Sequence, residues 1–136
     1  MTTRSDRIAA RRAYGGVLVV NAVLNGIFRV ELLVDTAAAI TSITPRTAER
    51  LGIEVRHPLR HDRVATAHSR RLVLVPVVKL DSIAVGPFQV EGLEVQIIEF
   101  PSQLRIHGSL GINFLARFRP TFEFDTATLI LRPLPG

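Results

Sequence analysis

The segment LLVDTAAAITSIT, residues 32–44, closes an apolar run on Asp35 and follows it with Thr36 and the alanines Ala37, Ala38 and Ala39. A carboxylate at the end of an apolar strand has two common uses. It can accept a hydrogen bond from the backbone two residues on, forming an Asx-turn. Alternatively, a tight loop of small residues can present it to a substrate as a general acid or base. Asp62, Asp81 and Asp125 also occur, but none ends an apolar run followed by threonine and small residues. Metal and thiol chemistry have less to build on. Cysteine is absent, which removes disulfides, thiolate ligands and a cysteine nucleophile. His57 and His61 have the spacing of a helical metal pair, yet Pro58 between them breaks such a helix. No metal and no other cofactor is expected, and His57, His61, His68 and His107 read as loop histidines.

The elements that must carry Asp35 are legible from turn signals. Asn25-Gly26, between GVLVVNAVL and IFRVELLVD, predicts a β-hairpin whose second strand ends at Asp35. In that strand Phe28, Val30, Leu32 and Val34 form the core face, opposite Arg29, Glu31 and Leu33. Thr44 and Pro45 supply an N-cap and a first-turn proline for a short helix that Gly52 ends. Residues 53–71 are charged and contain three histidines, so a long exposed loop or a flexible hairpin is expected there. RLVLVPVVKLDSIAVG resumes strand character, with Pro76 indicating an edge position or a bulge. Gly86-Pro87 marks a turn, and FQVEGLEVQIIEF is a strand pair or one strand interrupted at Gly92. PSQLRIHG is connecting loop. SLGINFLARF is a strand end passing at Gly111 into a short helix, and PTFEFDTATLILRPL is a closing hairpin that turns at residues 125–127. One or two short helices among many short strands give a mostly β domain, a closed or semi-closed barrel.

At 136 residues and 47% hydrophobic content the chain suits one domain with a real core. Residues 1–13, polar and basic, are expected to form a mobile arm, with the domain occupying 14–136. The net charge of +5 comes almost wholly from arginine, concentrated at Arg4, Arg7, Arg11 and Arg12 and again at Arg56, Arg60, Arg63, Arg70 and Arg71. Such patches attract acidic partners. Few aromatic residues accompany them for base stacking, so nucleic acid is not the expected partner. No run of about eighteen apolar residues and no apolar leader with a cleavage site is present. A cytoplasmic location is therefore expected, with an anchor upstream of this chain as the alternative.

Three segments in order, NGIFRVELLVDTAAAITSITPRTAERLGI, RLVLVPVVKLDSIAVGPFQVEGLEVQII and HGSLGINFLARFRPTFEFDTATLIL, resemble the retropepsin-like aspartic proteases, in particular small single-domain bacterial members. The resemblance extends from about Gly15 to Leu134. It implies a retropepsin-like barrel that functions as a C2 homodimer. Asp35 matches the catalytic aspartate, and Thr36 the threonine whose hydroxyl locks the two active-site loops together across the dimer. Ala37 stands where the family usually has glycine, and Ala38 matches the small residue after the motif. Leu110 and Gly111 match the turn packed beneath the aspartate loop. Residues 63–71 match the flap, which together with Ala39 puts Ala65, Thr66, Ala67 and His68 next to substrate.

Peptide hydrolysis of this type needs two carboxylates sharing one proton, and one chain supplies one such motif. A dimer that sets Asp35 against its symmetry mate is the implied solution, the pair titrating as a coupled dyad. Two functional classes follow. The first is an aspartic endopeptidase acting on peptide or protein substrates. The second is a dimeric peptide-binding or scaffold module of the same fold in which Ala37 has removed hydrolysis.

Overall fold

The computed structural model of the chain describes residues 6–65 and 71–135. Its first long element is the hairpin signalled by Asn25-Gly26. β3 (Val17–Leu24) and β4 (Phe28–Val34) pair antiparallel from Val19↔Leu33 to Leu24↔Phe28. Asn25 and Gly26 both take positive φ, 53° and 70°, as a type I′ turn requires, and Ile27 N–H donates to the Leu24 carbonyl to close it. Val30 and Leu32 face the core while Arg29 is exposed, so the expected alternation holds.

β4 belongs to a ten-stranded sheet that surrounds the main core. The remaining members are β2 (Arg11–Ala13), β5 (Thr41–Ile43), β6 (Arg60–Ala65), β7 (Leu72–Lys79), β8 (Ser82–Val85), β9 (Phe88–Glu91), β10 (Glu94–Ile97) and β11 (Gly108–Leu110). The order is β6-β7-β10-β5-β11-β4-β3-β8-β9, with β2 also on β3. The path has two free ends, so of the closed and semi-closed alternatives the sheet realises the second. A smaller sheet, β1-β13-β12, joins β1 (Arg7–Ala9) to the closing hairpin of β12 (Thr121–Glu123) and β13 (Thr128–Ile130). Two short helices interrupt the strands. α1 (Pro45–Arg50) is capped by Thr44, whose hydroxyl accepts from Thr47 N–H, and α2 (Ile112–Leu115) follows Gly111 directly. No helix of the described residues is long and apolar enough to cross a membrane.

The core gathers Leu24, Leu32, Ile43, Leu80, Ile83, Val95, Leu110, Phe114 and Leu129, all buried. Phe118 packs on Phe88 edge-on and on Phe114 at a tilt, each with ring centroids 5.2 Å apart, pinning α2 against the sheet.

One segment differs from expectation. From Arg7 onward the basic arm carries strands: β1 pairs with β13 and β2 with β3. Ile8 is buried, while Arg7 pairs with Glu123, Arg11 with Glu31, and Arg12 donates to the Phe124 and Asp125 carbonyls. Residues 1–5 lie outside the described residues. β7 as a whole is not an edge strand, being flanked by β6 and β10. The β10 pairing ends at Val77, however, so Pro76, which has no N–H to donate, pairs only with His61 of β6 and holds a local edge position. Residues 60–65 resolve the alternatives left open for 53–71 in favour of a hairpin with β7.

Candidate active site

β4 and β11 run parallel, with Gly108 opposite Leu32 and Leu110 opposite Val34. Both strands therefore end at one level, and the next residues are Asp35 and Gly111. Asp35 N–H donates to the Leu110 carbonyl at 3.0 Å, the last rung of this ladder. Beyond it the chain turns at once: Ala38 N–H donates to the Asp35 carbonyl at 3.2 Å, and Ala37 N–H donates to Asp35 Oδ1 at 3.0 Å. That second bond is an Asx-turn. It also fixes the carboxylate orientation, and Oδ2 has no hydrogen-bond donor among the described residues. The two uses of a strand-end aspartate are thus compatible in one loop.

What holds the loop lies on the opposite strand end. α2 opens beneath it, with Ile112 N–H donating to the Ala38 carbonyl at 2.8 Å and Asn113 N–H to the Ala39 carbonyl at 3.0 Å. Gly111 is buried there, and a Cβ on it would lie within 2.9 Å of Ala38, Ile40 and Thr41 backbone atoms. The Asn113 carboxamide joins α2 to two strands, β5 and β10. Its Oδ1 accepts from both the amide and the hydroxyl of Thr41 at 2.8 Å, and its Nδ2 donates to the Glu94 carbonyl at 2.8 Å. Thr41 Oγ1 then accepts from Gly111 N–H at 3.0 Å. Beside this network Ser42 and Ser109 exchange a buried hydroxyl bond of 2.7 Å between β5 and β11.

Asp35 lies on a cleft of about 790 Å³. Ala37, Ala38, Ala39 and Ile40 line it on one side, Arg63, Val64 and Ala65 of β6 on another, and Ile98, Phe100, Pro101 and Leu104 on a third. The walls are mostly apolar, and charge enters through Asp35, Arg63 and Glu99. Gln96 also lines the cleft, and its amide donates to Asp62 Oδ2 at 2.9 Å. Asp62 accepts as well from Arg60 Nε at 2.8 Å, and Arg60 Nη1 reaches Glu94 Oε1 at 2.6 Å. The Arg60 bond, then the Gln96 bond, hold the Asp62 carboxyl below the usual carboxylate range. The same Asp62 bond, followed by the Glu94 bond, raises Arg60.

The residues singled out from sequence separate into four places. Asp35, Ala37, Ala38, Ala39 and Ala65 line the cleft. Leu110 and Gly111 are buried beneath the loop, acting through backbone atoms and lack of volume. Thr36 points away from the cleft, exposed and without an intrachain hydrogen bond among the described residues, beside a shallow apolar depression lined by Val17, Leu18, Val34, Phe122 and Phe124. Thr66, Ala67 and His68 lie outside the described residues. Ala37 is absent from the positions with positive φ, so its methyl group imposes no left-handed strain on the turn. His107 does not line the cleft; its Nδ1 accepts from Glu31 N–H at 2.9 Å and braces β4. Sequence reasoning missed Asn113, Ser42, Ser109 and Gln96. A single polar residue in the first turn of an otherwise apolar helix, GINFL, was the available signal for Asn113.

Residues 20–114 match the family model described as aspartyl protease. A crystal structure of a retropepsin-like aspartic protease from Rickettsia conorii is similar over 92% of this chain and 89% of its own, with TM-score 0.69 and 25% identity. The retroviral protease-like domain of Ddi1 from Leishmania major shares the fold, with TM-score 0.56 and 19% identity over 90% of this chain and 97% of its own. No match was found among curated proteins.

Proposed function

Because this chain belongs to the aspartyl protease family, we propose that it is an aspartic endopeptidase, active as a C2 homodimer in which each copy supplies one Asp35 carboxylate. The fold is retropepsin-like and mostly β. The observation that carries the reading is the state of Asp35: one oxygen is fixed by Ala37 N–H, the other has no hydrogen-bond donor among the described residues, and the acid borders an apolar cleft. Thr36 supports the dimer, since it stands exposed beside an apolar depression in which Phe124 is 60% exposed. Burying that surface against a second copy would bring the two loops together at a two-fold axis.

In such a pair one carboxylate is ionised and the other carries a proton. The ionised group accepts a proton from a water as its oxygen attacks the peptide carbonyl carbon, and the protonated group hydrogen-bonds the carbonyl oxygen and passes its proton to it. The tetrahedral diol then collapses: the carboxyl that took the proton of water gives it to the nitrogen as the carbon–nitrogen bond breaks, and a diol hydroxyl returns its proton to the other carboxylate, so the dyad again holds one proton. An extended peptide lying along β6 and the Asp35 loop would meet apolar walls, with backbone amides and carbonyls as its polar partners.

The test is incubation with unstructured polypeptides from acidic to neutral pH, wild type beside Asp35→Asn. Cleavage that depends on Asp35 and peaks at acidic pH is expected. A rate still rising above about pH 8 would contradict a shared-proton dyad. A second reading, a peptide-binding module without hydrolysis, draws on the Ala37 methyl, which is exposed and lines the cleft where substrate would approach. Peptide binding without cleavage at any pH would favour it.

A further inference from the structure

We propose that Tyr14 is a positioning residue for the substrate cleft, its hydroxyl tying down the segment 99–105 that forms one wall. The functional consequence rests on the protease reading; the tether itself does not.

Tyr14 occupies a place where its side chain is not favoured. The β2–β3 hairpin turns through Tyr14 and Gly15 with φ of 36° and 78°, closed by Gly16 N–H donating to the Ala13 carbonyl at 3.0 Å. Such a turn favours Asn-Gly, which this chain uses in its other tight hairpin at Asn25 and Gly26. A tyrosine held in left-handed backbone is an outlier that asks for a compensating contact. Burial is not that contact, because Tyr14 is 53% exposed. Its hydroxyl is what engages the protein, donating to the Gln103 carbonyl at 3.1 Å.

Gln103 sits in the 3₁₀ turn Ser102–Leu104, whose Leu104 faces the cleft together with Phe100 and Pro101. That segment is anchored at its flanks, by Ile98 N–H to the Ile43 carbonyl and by His107 N–H to the Glu31 carbonyl. Between them its backbone bonds are internal, Leu104 N–H to Pro101 and Arg105 N–H to Ser102. Among the described residues Tyr14 makes the one hydrogen bond from outside. The Asp35 loop, by contrast, is held by Gly111, Ile112 and Asn113. Loss of the tether should therefore loosen one wall and leave the acid in place.

Two variants separate this role from simple stability. Tyr14→Phe keeps the ring and removes the donor; Tyr14→Asn also removes the donor but suits the turn, so its melting temperature should equal or exceed wild type. In hydrogen exchange of the apo protein both should speed exchange in 99–106 by about fivefold, the effect of one lost hydrogen bond, with the Asp35 loop unchanged. Unaltered exchange in 99–106 in both variants would overturn the tether, whether or not the protein cleaves peptides. In the cleavage assay KM should rise several-fold with kcat held. Equal KM values in wild type and both variants would overturn the role in the cleft. Absence of cleavage by wild type would sink the protease reading alone, leaving exchange to decide on Tyr14. The chain has one tyrosine and no tryptophan, so its intrinsic emission reports this contact directly. Wild-type tyrosine emission should change when peptide enters the cleft, and an emission insensitive to peptide binding would count against the proposal.

Discussion

Gly111 lies so close beneath Ala38 that a Cβ placed on it would stand 2.7 Å from the Ala38 carbonyl oxygen. The backbone at Gly111 is extended, φ −100°, so the requirement is for space and not for a left-handed conformation. Gly111→Ala must push the Asp35 loop away from α2. Overpacking of this kind costs about 1–3 kcal/mol. A lowered melting temperature and a loss of cleavage larger than the stability change explains are expected, measured by thermal unfolding and kcat.

Asn113 satisfies Thr41 twice and the Glu94 carbonyl once. Asn113→Ala leaves the buried Thr41 amide without that acceptor, at a cost of about 1–3 kcal/mol. Asn113→Asp keeps the acceptor but sets a carboxylate oxygen against the Glu94 carbonyl. Both should lower the midpoint of chemical denaturation. Recovery of the Asp variant as its carboxylate is protonated at low pH would identify that contact as the cause.

How much of this could be read in advance depended on sequence distance. The Asn25-Gly26 hairpin and the Thr44-Pro45 helix start are set by adjacent residues, and both were legible. So were the apolar face of β4 and the turn at Gly111. β1 and β2 were not, because a short strand with Ile8 as its one large apolar residue has no period of its own. Its pairing comes from Leu129, far along the chain. Asn113 was missed for the same reason: its partner Thr41 lies 72 positions away, and nothing local marks a helix amide as a bridge between strands. Pro76 marked a local edge and not an edge strand, because a proline excludes one hydrogen bond and the rest of β7 keeps both neighbours.

Ala37→Gly tests what the methyl group does. Since Ala37 has no positive φ, glycine relieves no backbone strain. Greater freedom of the unfolded chain should instead lower stability by about 0.4–1 kcal/mol. Under the protease reading kcat/KM changes by about tenfold at most, the low end for one methyl contact, because Ala37 is exposed. Cleavage that appears only in Ala37→Gly would favour the peptide-binding reading.

Asp62 gives the β6–β7 hairpin a pH dependence. Its folded pKa is lowered, first by Arg60 and then by Gln96, so the carboxylate contributes stability that is fully present above the ordinary carboxylate value of about 4. That contribution is lost as pH falls through the lowered folded value. Unfolding of wild type and Asp62→Asn, compared across pH, should show wild type more stable at neutral pH and the difference closing only in strong acid. Within the acidic working range of a dyad protease the Asp62–Gln96 bond should persist, keeping Gln96 fixed in the cleft.

Phe124 tests the dimer. It stacks on Phe122 at 6.3 Å between ring centroids, yet remains largely exposed next to Thr36. If a second copy covers this face, specific activity should fall on dilution, because each active site needs two chains. Phe124→Arg would then place a charge and its symmetry mate in the same contact, raising the dissociation constant by tenfold or more. The monomer fold should survive, since the side chain is already in water. Sedimentation and activity measured across the same concentrations read both effects. Activity independent of concentration, with Phe124→Arg unaltered in mass and rate, would place the second carboxylate somewhere other than a copy docked on this face.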